Sequence, residues 1–235
     1  MSTAQGARAR ARTEVTAAIK TEARRQLAEE GAAKLSLRAV ARELGLASSA
    51  LYRYFPSRDD LLTALIIDAY DAVGETAEQA RDAAADAGHR QRWIAVCEAV
   101  RAWALAHPHE YALIYGSPVP GYTAPQDTVR AAARVGYVLI GILRDAHRAL
   151  GLTRPAPPAA ELRPEAERMA ADLAPDLPPG TVTALVAAWA QLFGLVSFEV
   201  FGQFKGVVEE RPEFFRHAAA RLADGVGLMA GAEAG

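Results

Sequence analysis

The 235-residue chain contains one cysteine, Cys97. A single thiol can neither staple the chain internally nor build a cysteine-rich metal site, and such usage suits a reducing cytosol. Lysine is almost as scarce: Lys20, Lys34 and Lys205 stand beside 23 arginines. No glycine-rich phosphate loop, HExxH or GxSxG pattern occurs, so the common signatures of nucleotide, zinc-protease and serine-hydrolase chemistry are missing. Glu29-Glu30, Asp59-Asp60 and Glu209-Glu210 are adjacent acids; neighbours point different ways on a helix and form no natural acid/base couple. His107 and His109 flank a proline, a poor chelating spacing that reads as a helix boundary. Neither an enzyme, a cofactor nor a metal site is therefore expected. Net charge is also nearly absent, at −2, which for the chain as a whole argues against a surface coated in basic charge.

Hydrophobic residues make up 51% of the chain and charged residues 23%, a globular balance that excludes wholesale disorder. The length allows one or two domains. Alanine, at 53 residues, favours helix because it loses no side-chain entropy on becoming helical. Sustained two-residue alternation with β-branched residues does not appear. Residues 1–12 carry arginines with no apolar run behind them, unlike a secretory signal, and a cytoplasmic location is expected. Arg8, Arg10 and Arg12 form a short basic arm, readable as a solvated tail or as a contact to phosphates or the minor groove. Residues 182–204 hold one charge, Glu199. That length nearly spans a bilayer, but Gln191, Ser197, Gln203 and several small residues fit burial in a core or an oligomer interface better. No membrane is expected.

The pattern predicts helix after helix. Thr13 is placed as the cap of a first helix to Glu30, with Val15, Ile19, Ala23 and Leu27 on one face and Gly31 ending it. Ser36 caps a helix over 37–44 that Gly45 stops; a third covers 48–54. Pro56 breaks the chain, and Ser57 caps a long fourth helix from about Arg58 to Ala80. Further helices are expected over 90–106, 109–115, 126–150, 164–174, 181–204 and 212–229. The 126–150 helix carries an apolar stripe of Val129, Ala133, Gly136, Tyr137, Ile140, Leu143 and Leu150. Residues 154–164, rich in proline, read as a mobile surface loop.

The informative stretch runs SLRAVARELGLASSALYRYFPSRDDLL from Ser36 to Leu62. Two short helices flank Gly45-Leu46, and Val40, Leu44, Leu46, Leu51 and Phe55 are spaced to pack them on the first helix. A tight helix–turn–helix lays its second helix in the major groove with its first residues near base edges. Ser48 and Ser49 are small donors and acceptors at that end. Tyr52, Arg53 and Tyr54 reach phosphates, Arg58 starts the next helix, and Arg38 can take a phosphate or pair with guanine.

The runs Ala41-Arg42-Glu43-Leu44-Gly45-Leu46, Leu51 to Arg58, and Leu61-Leu62 closely resemble the amino-terminal DNA-binding domain of the TetR family of bacterial regulators. The resemblance spans about 15–65 and implies that Arg38, Ser48, Ser49, Tyr52, Tyr54 and Arg58 face DNA. Ala47 departs from the family's Ser or Thr cap, and Ala50 from a common Thr. Arg101 to Tyr111 and Trp189 to Gly194 are similar to the family's WHG-type carboxy-terminal domain, with Phe193 where the histidine is expected.

The resemblance implies an all-α chain. A basic arm and three-helix helix-turn-helix DNA-binding domain occupies residues 1–58, and a larger helical ligand-binding and dimerisation bundle occupies 59–235. The implied protein is a homodimeric, ligand-responsive regulator, most simply a repressor, on a palindromic operator. Its partners are duplex DNA, a small-molecule effector and a second copy joined through 181–204 and 212–229. Trp93, Trp103, Tyr111, Tyr115, Tyr137, Met169, Trp189 and Phe193 are the candidate pocket lining; as apolar side chains at helical spacing they read equally as core. The rival is a carrier or enzyme whose first helices are only a scaffold. The charge resolves into two parts: residues 1–58 hold 11 basic against 5 acidic side chains, and 59–235 hold 15 against 23.

Overall fold

The computed structural model describes residues 3–150 and 158–229. Among them the chain is helical, with no strand: α1 (Thr3–Glu30), α2 (Leu37–Glu43), α3 (Ser48–Leu51), α4 (Arg58–Ala83), α5 (His89–Ala106), α6 (Pro108–Tyr115), α7 (Asp127–Ala132), α8 (Arg134–Leu150), α9 (Arg163–Leu173), α10 (Pro179–Val200) and α11 (Arg211–Gly225). Short 3₁₀ turns lie at Ala32–Lys34 and Ala160–Leu162. Residues 154–157 of the expected mobile loop lie outside the described residues; 158–164 lead through the second 3₁₀ turn into α9.

The chain divides into two compact units, residues 1–70 with 107–131, and residues 71–106 with 132–235. The sequence expectation drew its boundary at 58. The first unit keeps the start of α4 because Leu61, Leu62 and Leu65 are fully buried in its core. It also takes in α6 and the segment behind it, through Arg24 to Glu110 at 3.0 Å and Thr63 to Tyr122 at 2.9 Å. That core is built from the inward stripe of α1 (Ile19, Ala23, Leu27), from Leu35, Leu37 and Val40 around α2, and from Leu51 and Phe55 around α3. Asp68 receives both Lys20 (2.8 Å) and Arg24 (2.7 Å), so charged pairs close the rim between α1 and α4.

In the second unit α5 is the central strut. Its buried face (Trp93, Val96, Cys97, Val100, Trp103 and Ala104) recurs at the three-to-four-residue helical spacing. Arg90 reaches Asp224 at 3.0 Å and Glu98 accepts from Arg216 at 2.6 Å, which ties α5 to α11. Arg101 forms a two-pronged pair with Glu199 of α10 (2.5 and 2.6 Å) and lies 5.4 Å over the Phe215 ring. Arg134 of α8 reaches Asp71 and Glu78 on the later part of α4 at 2.8 and 2.7 Å. Helix α10 is long and apolar enough to cross a membrane by length and composition, yet Thr181, Leu185, Ala188, Leu192 and Val196 form a stripe buried within the unit.

Several helix limits differ from expectation for local reasons. Thr13 is not a cap: α1 starts at Thr3, and the Thr13 hydroxyl donates to the Ala9 carbonyl inside the helix. The alanine- and arginine-rich run before it contains strong helix formers that outweigh the single Gly6 within it. The 126–150 helix is interrupted at Ala133. Register shifts there, so Val129 (57%) and Tyr137 (56%) are exposed, while Val135, Val138, Leu139 and Ile142 supply the buried face together with the expected Ile140 and Leu143. The Leu150 side chain lies outside the described residues. α10 stops at Val200, before the turns at Gly202 (φ 81°) and Gly206 (φ 74°).

Candidate nucleic-acid interface

Ser36 opens α2 from an extended backbone, and its Oγ accepts from the Ala39 N–H at 3.4 Å. A cap of this kind contributes about 1 kcal/mol. The far end of α2 closes as a Schellman turn. Gly45 adopts φ 64°; its N–H bonds the Arg42 carbonyl at 3.1 Å, and the Leu46 N–H bonds that of Ala41 at 2.8 Å. A side chain at Gly45 would be strained in that left-handed conformation. The turn delivers the chain to α3, whose cap position is Ala47 with no side-chain bond. α3 is one α-helical turn that then tightens: Arg53 N–H bonds Ala50 and Tyr54 N–H bonds Leu51.

Leu51 and Phe55 anchor this element in the core, which leaves Ser48, Ser49, Tyr52 and Arg53 exposed. Arg38, on the first turn of α2, is exposed as well. These five candidate residues lie on the solvent side of the α2–turn–α3 unit, and neither Arg38 nor Arg53 is in an ion pair among the described residues. Tyr54 is only half exposed; its ring packs at the edge of the core, with the Arg12 guanidinium 5.3 Å above it. Arg58 differs most from expectation. Its guanidinium is half-buried and bonded to main-chain carbonyls of Ala32, Ala33 and Leu35.

Arg12, expected in the basic arm, lies within α1 and packs on Tyr54. It also approaches the Arg53 carbonyl at 3.5 Å. The signal for it was present: Arg12 continues the Val15, Ile19, Ala23 stripe by one more turn once α1 is allowed to start earlier.

Two family models cover most of the chain. Residues 19–65 match the bacterial regulatory proteins of the tetR family, and residues 93–222 match the tetracyclin repressor-like C-terminal domain. HTH-type transcriptional regulators of Mycobacterium bovis and Mycobacterium tuberculosis are 40% identical over 223 residues, across 92% of this chain and 94% of theirs. The chain belongs to the TetR family.

This TetR-family transcriptional regulator also resembles the solved regulatory protein SCO4313, with a TM-score of 0.74 and 35% identity over 92% of this chain and 98% of the other. A TetR-family regulator from Thermus thermophilus shares the fold, at a TM-score of 0.57 and 17% identity over 89% of this chain and 96% of its own.

The eight pocket candidates of the TetR-family chain are distributed across its units. Tyr111, fully buried, and Tyr115 lie in the first unit, with ring centroids 5.1 Å apart; Tyr70 meets Tyr115 edge-on at 5.9 Å. Burial pushes the Tyr115 phenol well above its ordinary range. Trp93, Trp103, Tyr137, Met169, Trp189 and Phe193 lie in the second unit. Trp93, Trp103 and Phe193 are core residues, Met169 is half-buried, and Tyr137 and Trp189 are exposed. Trp189 and Phe193 are in edge contact at 5.7 Å.

Three open clefts in the protein are lined by other residues. One of about 600 Å³ lies beside Arg90, Glu98 and Arg216. A second, of about 520 Å³, is lined by Gln191, Gly194, Leu195, Phe198, Phe204, His217, Ala218, Arg221 and Leu222. The third, of about 390 Å³, lies in the first unit between Ala32, Ala33 and Pro118.

Proposed function

We propose that this regulator binds a palindromic operator as a cytoplasmic homodimer and represses transcription until a small-molecule effector occupies its helical body. Residues 1–58 read the DNA and 59–235 form the regulatory part. The observation that carries the reading is the outward set Arg38, Ser48, Ser49, Tyr52 and Arg53 on a helix–turn–helix whose inward residues are all committed to the core. Two such elements in a dimer enter successive major grooves about 34–36 Å apart. Ser48 and Ser49 meet base edges, Tyr52 and Arg53 meet phosphates, and Arg38 meets a phosphate or a guanine edge. The Ala50 methyl is suited to a thymine methyl.

The dimer surface is argued from α10 and α11. The face of α10 opposite its buried stripe exposes Ala187, Ala190, Gln191 and Phe198, Phe201 is exposed just past its end, and Phe214 of α11 is exposed beside Phe204. Two helices from each copy can close this face as a four-helix contact. An effector that favours a different packing of the body lowers operator affinity, and operator lowers effector affinity by the same factor.

Gel shift with the DNA flanking the protein's own coding region tests the reading. Specific retardation is expected, and Arg38→Ala or Tyr52→Ala should weaken it by about 1–3 kcal/mol at an unchanged melting temperature. Addition to a transcription reaction on that template should lower the transcript. Retardation that is equal on unrelated duplexes, or none at all, would sink the proposal and favour a carrier.

A further inference from the structure

Arg58 opens α4, at the position that the family resemblance assigns to DNA, yet its side chain turns into the first unit. Nη2 donates to the Ala32 carbonyl at 2.8 Å and to that of Ala33 at 3.3 Å, and Nε donates to that of Leu35 at 3.2 Å. The remaining nitrogen, Nη1, faces Asp59 at 3.5 Å. The accepting carbonyls belong to the 3₁₀ turn Ala32–Lys34 and to the residue that closes it. The Ala32 carbonyl also accepts from the Leu35 N–H at 3.3 Å, and a cation at the carbonyl end of a helical turn is favourable. Leu35 is buried and directly precedes Ser36, the cap of α2.

We propose that Arg58 is a positioning residue for DNA recognition and not a phosphate ligand. From the first turn of α4 it clamps the connection between α1 and α2, and so fixes where α2 presents Arg38. Nη2 and Nε are committed to these carbonyls, so a phosphate contact through either would have to break the clamp. The planar fork is essential. A lysine ammonium keeps the charge but cannot serve three spread carbonyls in one plane. The inference rests on the DNA-reading proposal above, and its test separates the two.

The test uses the full-length chain, a duplex carrying the DNA that flanks its own coding region, and a random-sequence duplex of equal length. Affinity is measured by fluorescence anisotropy through a salt series, with melting temperatures alongside. Each lost phosphate contact flattens the plot of log affinity against log salt by about 0.9. Arg58→Met should bind the flanking duplex about tenfold more weakly, melt lower, and keep the wild-type salt slope. Arg58→Lys should fail to restore either affinity or melting temperature. A slope flattened by about 0.9 in the Met variant and recovered in the Lys variant, at an unchanged melting temperature, overturns the proposal. Wild-type affinity in both variants overturns it too. If Arg58→Met does not fold, Arg58→Lys decides alone: wild-type affinity and melting overturn the clamp, and loss of both at an unchanged slope supports it. Failure of the wild-type chain to prefer the flanking duplex overturns DNA reading. The clamp would then be judged by melting alone, with a lowered value in Arg58→Lys supporting it and an unchanged one refuting it.

Discussion

Glu199 is the only charge in α10 and is almost fully buried, at 6% side-chain exposure. Such an ion survives burial because Arg101 meets it with two bonds while stacking on Phe215. Replacing Arg101 by Met leaves an uncompensated buried carboxylate and should cost about 3–5 kcal/mol. The double variant with Glu199→Gln should recover most of that loss, and urea melts of the three proteins check both statements. Equal melts for wild type and the single variant would refute the role assigned to Arg101. Pairs like this one were not legible in the sequence, because the partners lie 98 positions apart. The inward bonds of Arg58 were hidden for the same reason: its carbonyls lie 23 to 26 positions back. By contrast, Ser36, Gly45 and Ser57 act on neighbours within a few positions, and Ser57 accepts from the Asp60 N–H at 3.1 Å as expected.

At the scale of helices, the same locality decides which boundaries could be read. α2 and its turn are written in a cap and a glycine. The break at Ala133 has no proline or glycine at the break itself to announce it, so a stripe projected through it was rotated out of register. The lock between α4 and α8 depends on Gly74. A Cβ there would stand 2.7 Å from Cβ and 2.9 Å from Nε of Arg134, the residue that pairs with Glu78. Gly74→Ala gains about 1 kcal/mol of helix propensity. Displacing Arg134 costs about 1–3 kcal/mol, so a lower melting temperature is expected. The acid response should change as well. Hydrogen bonding from Arg134 holds the Glu78 carboxyl below its ordinary value of 4.5. Its contribution is therefore present above that pH and lost as pH falls through the lowered value. The wild type should lose more stability on acidification than Gly74→Ala, and an identical acid profile for the two would refute the lock.

Across the whole chain, charge is sorted by position: 11 basic against 5 acidic side chains up to Arg58, then 15 against 23. A DNA grip built on the basic part should weaken steeply with salt, because neutralised phosphates release counterions. The α10 share of the proposed dimer surface should not. Glu199 is spent inside the protomer, and the outward face of that helix carries no charge. Its association is driven by apolar burial, which kosmotropic salts strengthen. Sedimentation in rising sodium sulfate should therefore show free DNA beside intact dimers, whereas Phe198→Glu should yield monomers at every concentration. Monomers appearing together with DNA release would refute the assignment of that face. In the proposed dimer, one internal ion pair thus leaves operator release and subunit separation separately adjustable, and a change in ionic strength is expected to strip the regulator from DNA without dismantling it.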